Sequence, residues 1–365
     1  MESSSFKYYP RLDHLRFLAT FLVLCWHITV FCKIPFDITP EFWPLSFAQE
    51  GHTGVALFMT LSGFIFSSLC RGSTVNYKNF IHNRILRIAP LFVFWMFIYF
   101  YTSDIDPLKL LASTFGLLNK DLVPGNAWTI IVEFQFYLIF PFLLIFYRSY
   151  GLRYLIILIF LAFVIRLIVW CASGSVQYLA YSTIFGRIDQ FCLGVLFSEI
   201  AYKHGRFFSK PTVFIAVLIC WAVVFHLFDL SGGFFDKTTV FPKPNSTSAV
   251  WLVWSIVEGL FWGIIIASYS NLHLVIPSFL DKTMAWLGTL SYSMYLNQNF
   301  SIQFASKIYK NLGLGLLGDA QILTFGVFVL LVLIAFSFLT YSVIEKPFLL
   351  LRVNYLTKTP TKTNQ

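Results

Sequence analysis

An arginine and a histidine lie on one face of the first apolar segment, and both residue types could take part in anion-binding or proton-transfer chemistry. Arg16 and His27 are eleven residues apart, which places them within about 20° of one helix face and about 16 Å apart along it. Ionisable groups inside a membrane helix are costly and usually face protein or a watery cavity. An imidazole exchanges protons near neutral pH, so His27 is predicted to be a general base. The alternative is a snorkelling Arg16 and a hydrogen-bonded core histidine.

Two further arginines lie near the start of the third apolar segment. Arg84 and Arg87 are three residues apart, so both guanidinium groups share one helix face. Guanidinium groups bind phosphate through paired hydrogen bonds and stay charged at any relevant pH. The pair predicts an anion-binding surface at the end of a membrane helix, and it equally suits an ordinary positively charged anchor.

The fourth apolar segment contains a carboxylate that needs a partner. Glu133 lies about 7 Å below the predicted helix start, and Tyr137 follows on the same face at i+4. A buried carboxylate without a partner is destabilising or takes up a proton. We expect Glu133 to support a reaction by orienting His27 or by binding hydroxyl groups of a substrate. Trp128 and Tyr137 are predicted to contact that substrate.

The remaining polar residues at membrane depth are less specific. Arg187 and Asp189 are two residues apart and do not share a helix face, so each needs a partner elsewhere. We interpret them as structural and leave the roles of these two and of Arg166 open. Asn297 and Gln298 suit a hydroxyl-rich ligand, although they could equally face water at a helix end.

Composition defines the class of protein. The chain has 365 residues, is 58% hydrophobic and 12% charged, and has a mean hydropathy of +0.73. Long apolar stretches recur throughout, which is typical of a polytopic all-α membrane protein. The net charge of +9 is assigned to cytoplasmic loops, which collect Lys and Arg, rather than to nucleic-acid binding. Six single cysteines lack metal or CxxC spacing, so neither a disulfide framework nor a metal site is predicted. No cleavable signal peptide is predicted.

The hydropathy pattern predicts about ten transmembrane helices with both termini in the cytoplasm. One membrane domain is predicted over residues 1–350, followed by a disordered cytoplasmic tail over 351–365. The predicted helices cover residues 15–33, 53–70, 85–102, 128–147, 152–171, 183–201, 212–230, 249–270, 284–303 and 321–343.

Six stretches together resemble the integral-membrane acyltransferase 3 family. Each stretch is a weak motif alone, and all six occur in the order expected for the family. They are Arg16 to His27, Gly54 to Phe64, Arg84 to Arg87, Trp128 to Pro141, Leu287 to Leu296, and Glu345-Lys346-Pro347.

The resemblance implies an inner-membrane O-acyltransferase, most simply an O-acetyltransferase, acting on a surface polysaccharide such as O-antigen or exopolysaccharide. It implies acetyl-CoA or another acyl-coenzyme A as the cytoplasmic donor, and a surface glycan or lipid-linked oligosaccharide as the acceptor. By resemblance, Arg16 and His27 are the family's essential pair, Arg84 and Arg87 its arginine pair, and Glu133 its acid. The implied location is the bacterial inner membrane, in contact with membrane lipid.

The chain departs from the family pattern at two positions. Ala56 stands where members often have Asp, and Gln298 where many have His, so we expect neither position to be catalytic. Because little sequence follows the tenth predicted helix, we expect no additional extracytoplasmic domain of the kind that larger members carry. The alternative function is a transporter or flippase of a glycan or lipid-linked intermediate, but no internal repeat or matched pair of broken helices supports it. A purely structural membrane subunit would leave the charged residues unexplained.

Overall fold

The computed structural model describes residues 10–32, 46–103, 106–114, 127–236, 243–244, 247–314 and 319–358, and they are mostly helical. The α-helices are α1 (Pro10–Phe31), α2 (Ser46–Gln49), α3 (Thr53–Cys70), α4 (Tyr77–Thr102), α5 (Pro107–Thr114), α6 (Ala127–Tyr150), α7 (Leu152–Ser173), α8 (Gln177–Ser182), α9 (Ile184–Lys203), α10 (Gly205–Phe208), α11 (Pro211–Leu230), α12 (Trp254–Asn271), α13 (Ser278–Thr289), α14 (Ser291–Asn311), α15 (Asp319–Thr340) and α16 (Lys346–Leu349). Two antiparallel pairs join short strands, β1 (Ser73–Val75) with β4 (Leu356–Lys358) and β2 (Phe235–Asp236) with β3 (Lys243–Pro244). A 3-10 helix covers Ala249–Leu252 and a π-helix covers Tyr341–Glu345.

Each predicted membrane segment overlaps a long helix, and the chain is an all-α membrane protein. Seven helical segments of the described chain are long and apolar enough to cross a membrane: α1, α3, α4, α6, α7, α11 and the segment from Gln321 to Leu349. By contrast, α9, α12 and α14 carry more polar residues and are largely buried inside the bundle. Neighbouring helices shield these three from lipid, which makes their polar residues tolerable. The number of about ten spans remains a prediction.

Glycines allow the central helices of the bundle to pack closely. A Cβ atom on Gly54 would lie 2.3 Å from the carbonyl oxygen of Ala19 on α1. A Cβ atom on Gly63 would lie 2.2 Å from the carbonyl oxygen of Phe191 on α9. Such distances are incompatible with any side chain, so glycine sets the spacing between these backbones. The result is a tight core of α1, α3 and α9.

The structure corrects the predicted ninth helix. Residues 284–303 are not one helix, because α13 ends at Thr289 and α14 begins at Ser291. The hydroxyl group of Thr289 donates to the carbonyl oxygen of Trp286 at 2.6 Å, and such local side-chain bonds compete with helix continuation. At the same point, Gly288 packs on the backbone of Asp13 in α1. The break therefore brings α13 against the start of α1.

The structure also corrects the beginning of the predicted tail. Residues 351–358, hereafter the C-terminal segment, run back along α4 and end in β4, which pairs with β1. Tyr355 is buried against Phe80, with ring centroids 5.4 Å apart. Residues 359–365 lie outside the described residues. The ring contact of Tyr355 with Phe80 and the pairing of β4 with β1 hold the C-terminal segment in place, although its own composition is polar.

Candidate active site

A cavity of about 390 Å³ brings together five of the predicted site residues: Arg16, Arg84, Arg87, Glu133 and Tyr137. It follows α3, where the lining residues from Val55 to Leu69 recur at helical spacing. Fourteen residues of helix correspond to about 21 Å. The cavity is thus elongated along the bundle rather than confined to one depth. It is also lined by residues that the sequence analysis did not select, among them Ser62, Tyr292, Tyr295 and Arg352.

Four arginines line one end of this cavity, which we call the arginine end: Arg16, Arg84, Arg87 and Arg352. Arg16 is paired with Asp13 at 2.7 Å, and Arg87 with Glu345 at 3.0 Å. The guanidinium group of Arg84 stacks over the rings of Phe66, Phe80 and Tyr137 instead. Four guanidinium groups around one space make this end strongly attractive to an anion.

Glu345 is the carboxylate at the arginine end that the sequence analysis missed. In the sequence it belongs to one of the six family stretches and was given no role, yet the side chain is 1% exposed. It accepts hydrogen bonds from Arg87 and from the hydroxyl group of Ser293. The π-helix at residues 341–345 displaces the backbone at this point, and π-helical turns frequently occur at functional sites. The helical pattern alone could not place Glu345 beside Arg87, because the two are 258 residues apart.

Glu133 faces the cavity in the middle of its length. Its Oε1 atom accepts hydrogen bonds from the hydroxyl groups of Ser62, at 3.1 Å, and Tyr137. The side chain is half-buried, whereas Tyr137 is buried. The pairing of Glu133 with Tyr137 follows from their i+4 spacing on α6. The contact with Ser62 on α3 joins two helices, so spacing within α6 could not predict it. This carboxylate can accept a proton or bind a hydroxyl group inside the cavity.

His27 is held by Gln298 and not by Glu133. Its Nδ1 atom lies 2.7 Å from Oε1 of Gln298, and Nε2 of Gln298 donates to the carbonyl oxygen of Thr20 at 3.3 Å. A carbonyl oxygen only accepts, which fixes the orientation of the amide and leaves its oxygen facing His27. Neutral His27 therefore carries its proton on Nδ1 and its lone pair on Nε2. The basic atom is Nε2, and Gln298 selects this tautomer.

His27 lies just beyond the far end of the cavity. The close contacts of Gly51 with Leu22 and Trp26 align this part of α1 with the start of α3, beyond the lining residue Val55. On α14, Tyr295 lines the cavity, and Gln298 follows one turn later. Tyr295 accepts a hydrogen bond from the hydroxyl group of Thr129 at 2.9 Å. The predicted acid–base residues are therefore arranged in sequence along the cavity, with Glu133 on its wall and His27 past its end.

Asn297, Gln298 and Trp128, which are predicted to contact substrate, make internal contacts in the structure. Asn297 is fully buried and joins three helices, because its Oδ1 accepts from Trp95 and its Nδ2 donates to Ser337 and Thr340. Gln298 serves His27, and the ring of Trp128 packs on Tyr181, with centroids 5.1 Å apart. These three side chains do not line the described cavity. The amides of Asn297 and Gln298 bond to other side chains inside the bundle, and the sequence alone does not distinguish such amides from ligand-binding ones.

The buried charges of α7 and α9 find partners elsewhere, as expected for structural residues. Arg166 and Asp189 are both fully buried and 2.7 Å apart, and Ser255 donates to the same carboxylate oxygen. Arg187 lies 3.6 Å from Glu258 on α12. Within the part of the chain that the structure describes, no group of His, Cys, Asp or Glu is arranged to bind a metal ion.

Fold and site together define a multi-pass membrane protein with an arginine-lined cavity that has Glu133 on its wall and His27 past its end. A family model described as "Acyltransferase domain" matches residues 9–342. The chain therefore belongs to the acyltransferase 3 family, and the resemblance seen in six stretches is confirmed.

Curated relatives match over part of the chain. It is 27% identical over 171 residues to "Peptidoglycan O-acetyltransferase OatA" of Listeria monocytogenes, covering 39% of this chain and 25% of that protein. It is 26% identical over 201 residues to "Putative peptidoglycan O-acetyltransferase YrhL" of Bacillus subtilis, covering 47% of this chain and 29% of that protein. The matches thus span less than a third of these relatives. No solved structure matches the chain.

Proposed function

We propose that this protein is an O-acyltransferase of the bacterial inner membrane that transfers an acyl group, most simply acetyl, from cytoplasmic acyl-coenzyme A to a glycan hydroxyl group. The acceptor class is a surface polysaccharide such as O-antigen or exopolysaccharide, or its lipid-linked precursor. The observation that carries the proposal is the elongated cavity, which joins four arginines at one end to Glu133 on its wall. The two relatives named as peptidoglycan O-acetyltransferases support acetyl as the group and a glycan as the acceptor.

The arginine end suits the phosphate groups of coenzyme A. Arg84 has no carboxylate within salt-bridge distance among the described residues, and its Nε atom is buried without a hydrogen-bond partner there. A phosphate oxygen would supply the missing acceptor and neutralise the charge. The pantetheine arm, a chain of roughly a dozen bonds, would extend along α3 over a distance comparable to the 16 Å between Arg16 and His27. The charged part of the donor then stays at the cytoplasmic end.

The acid–base residues suit attack of an alcohol on a thioester. The acceptor oxygen forms a bond to the thioester carbonyl carbon, and its proton passes to a base. The carbon–sulfur bond then breaks, and the thiolate takes up a proton. We assign the base to Nε2 of His27, because Nδ1 donates to Gln298 and the residue lies past the end of the cavity opposite the arginines. Glu133 and Tyr137 lie nearer the arginine end and bind the reacting groups or their hydroxyl partners.

Complementation of a deletion strain tests the proposed function. Mass spectrometry of the surface glycan should show acyl esters in the parent strain, their loss on deletion, and their return with the wild-type gene. Glu133→Gln and His27→Ala should each restore less than about a hundredth of the esters, as expected for loss of a general acid–base group. The exposed variant Arg153→Gln serves as the control at matched membrane levels. Unchanged esters in the deletion strain, or full restoration by both variants, would contradict the proposal.

A further inference from the structure

The arginine end contains more positive charge than its carboxylates neutralise. Arg16 and Arg87 each have a carboxylate partner, Asp13 and Glu345. No such partner lies within salt-bridge distance of Arg84 or Arg352 among the described residues. Like charges held close together are mutually destabilising unless an anion lies between them. Two guanidinium groups are thus available for a ligand.

Arg352 reaches this place because the C-terminal segment is fixed to α4. Asn83 makes two hydrogen bonds to the backbone of Val353, at 2.7 and 3.0 Å. The side chain of Asn79 donates to the carbonyl oxygen of Asn354 at 2.9 Å. The backbone N–H of Asn76 donates to the carbonyl oxygen of Tyr355, also at 2.9 Å. Asn79 and Asn83 are four residues apart, so their side chains share one face of α4, and Asn76 just before the helix contributes its backbone N–H. Arg84 immediately follows Asn83, which brings the two unpaired arginines to the same cavity.

The charge environment of Arg352 agrees with this placement. Desolvation and repulsion from Arg84, Arg87 and Arg16 lower the pKa of Arg352 from 12.5 to about 9. The group still carries its charge at neutral pH. Four guanidinium groups are therefore close enough to repel one another. A bound anion would relieve this repulsion, and the free energy released would contribute to its affinity.

We propose that Arg352 and Arg84 together form a phosphate-binding site of the donor, and that the C-terminal segment exists in its ordered form to complete that site. The inference rests on the proposed function, since it names a subsite for coenzyme A. The ligand chemistry is a phosphate mono- or diester, and the arginine fork suits two of its oxygens. Arg87 is already paired with Glu345. We therefore assign the phosphate to Arg84 and Arg352, which have no carboxylate partner among the described residues, and not to Arg84 and Arg87, the pair predicted from the sequence.

Titration calorimetry on the full chain in phosphatidylcholine nanodiscs tests the site, with coenzyme A and the phosphate-free probe pantetheine. Arg352→Gln should weaken coenzyme A binding about tenfold, the usual effect of losing one charge-assisted hydrogen bond. Arg84→Gln should do the same, and Arg352→Lys should be intermediate because lysine keeps the charge without the fork. Pantetheine binding should be unchanged in all variants. The exposed Arg153→Gln near the start of α7 is the matched control, and thermal unfolding verifies that each variant is folded.

The outcomes separate the subsite from the proposed function. If Arg352→Gln binds coenzyme A as tightly as wild type while Arg84→Gln does not, the donor is supported and Arg352 is excluded. If Arg352→Gln weakens pantetheine equally, its effect is on cavity shape and the phosphate site is wrong. If wild type binds no coenzyme A, both proposals fail. Discs containing phosphatidylglycerol test a lipid source, since competition with coenzyme A there would show that a headgroup phosphate also occupies the site.

Discussion

The orientation and tautomer of the His27 ring depend on one amide side chain. Gln298 accepts from Nδ1 of His27 and donates to the backbone of Thr20, so it fixes both the ring orientation and the tautomer. A histidine freed from this contact could place its proton on Nε2, where it could no longer act as a base toward an acceptor. Gln298 is thus expected to be a positioning residue, although it stands where many relatives have histidine.

At this scale we predict that Gln298→Leu lowers turnover by about tenfold to a hundredfold without changing donor affinity, because the base is misoriented rather than removed. Gln298→His should restore much of the activity, since its imidazole can still accept from His27. The measurements are steady-state acylation and coenzyme A binding on purified protein. Equal activity of Gln298→Leu and wild type would show that the contact is only structural.

At the scale of elements, the bundle is held together by glycine contacts and by buried charge pairs between helices. The Arg166–Asp189 pair joins α7 to α9, and Ser255 adds α12. Arg166 and Asp189 are fully buried, so neither can be removed alone without leaving an uncompensated charge. Such a pair specifies which helices are neighbours, independently of the reaction.

We predict that Asp189→Ala destabilises the protein by about 3–5 kcal/mol, whereas the double variant Arg166→Leu with Asp189→Leu recovers most of the loss. The control is Glu199→Ala at the partly exposed Arg71–Glu199 pair, which should cost about 1 kcal/mol or less. Denaturant unfolding in detergent micelles measures the differences. The folded fraction of each variant should keep wild-type acylation, and a specific loss of turnover would instead place Asp189 in the active site.

At the scale of the whole molecule, both ends of the described chain meet at the arginine end. Arg16, near the start of α1, and Arg352, in the C-terminal segment, line the same part of the cavity. His27 lies toward the opposite end of the bundle. The positively charged loops predict that the arginine end faces the cytoplasm. Under the proposed function, the donor would then arrive from one side of the membrane and the acceptor from the other.

This arrangement predicts one-sided donor supply. Acyl-coenzyme A should support acylation in inside-out vesicles and not in sealed right-side-out vesicles, because a charged donor does not cross the hydrocarbon core. Permeabilising the right-side-out vesicles should restore the reaction and serves as the control. Equal activity in both sealed preparations would contradict the assigned orientation.

The sequence alone determined the features that depend on local pattern. Hydropathy predicted an all-α membrane protein, since an apolar run of about twenty residues suits a membrane helix whatever its neighbours. Helical spacing placed Arg84 beside Arg87 and Glu133 beside Tyr137, because positions three and four apart are neighbours in every helix. The motifs, taken in order, identified the family. Five of the nine predicted site residues line the cavity for these reasons.

Only the tertiary structure decided which distant residues complete the site. Glu345 reaches Arg87 across 258 positions, and Gln298 reaches His27 across 271. Three further features arise from contacts with other elements: the break between α13 and α14, the π-helix, and the ordered C-terminal segment. No local sequence pattern predicts them. Arg352 follows a helix end and resembles an ordinary charged flank in the sequence. It joins the site because asparagines on α4 bind the segment that carries it, and hydrogen bonds of this kind depend on packing rather than on spacing.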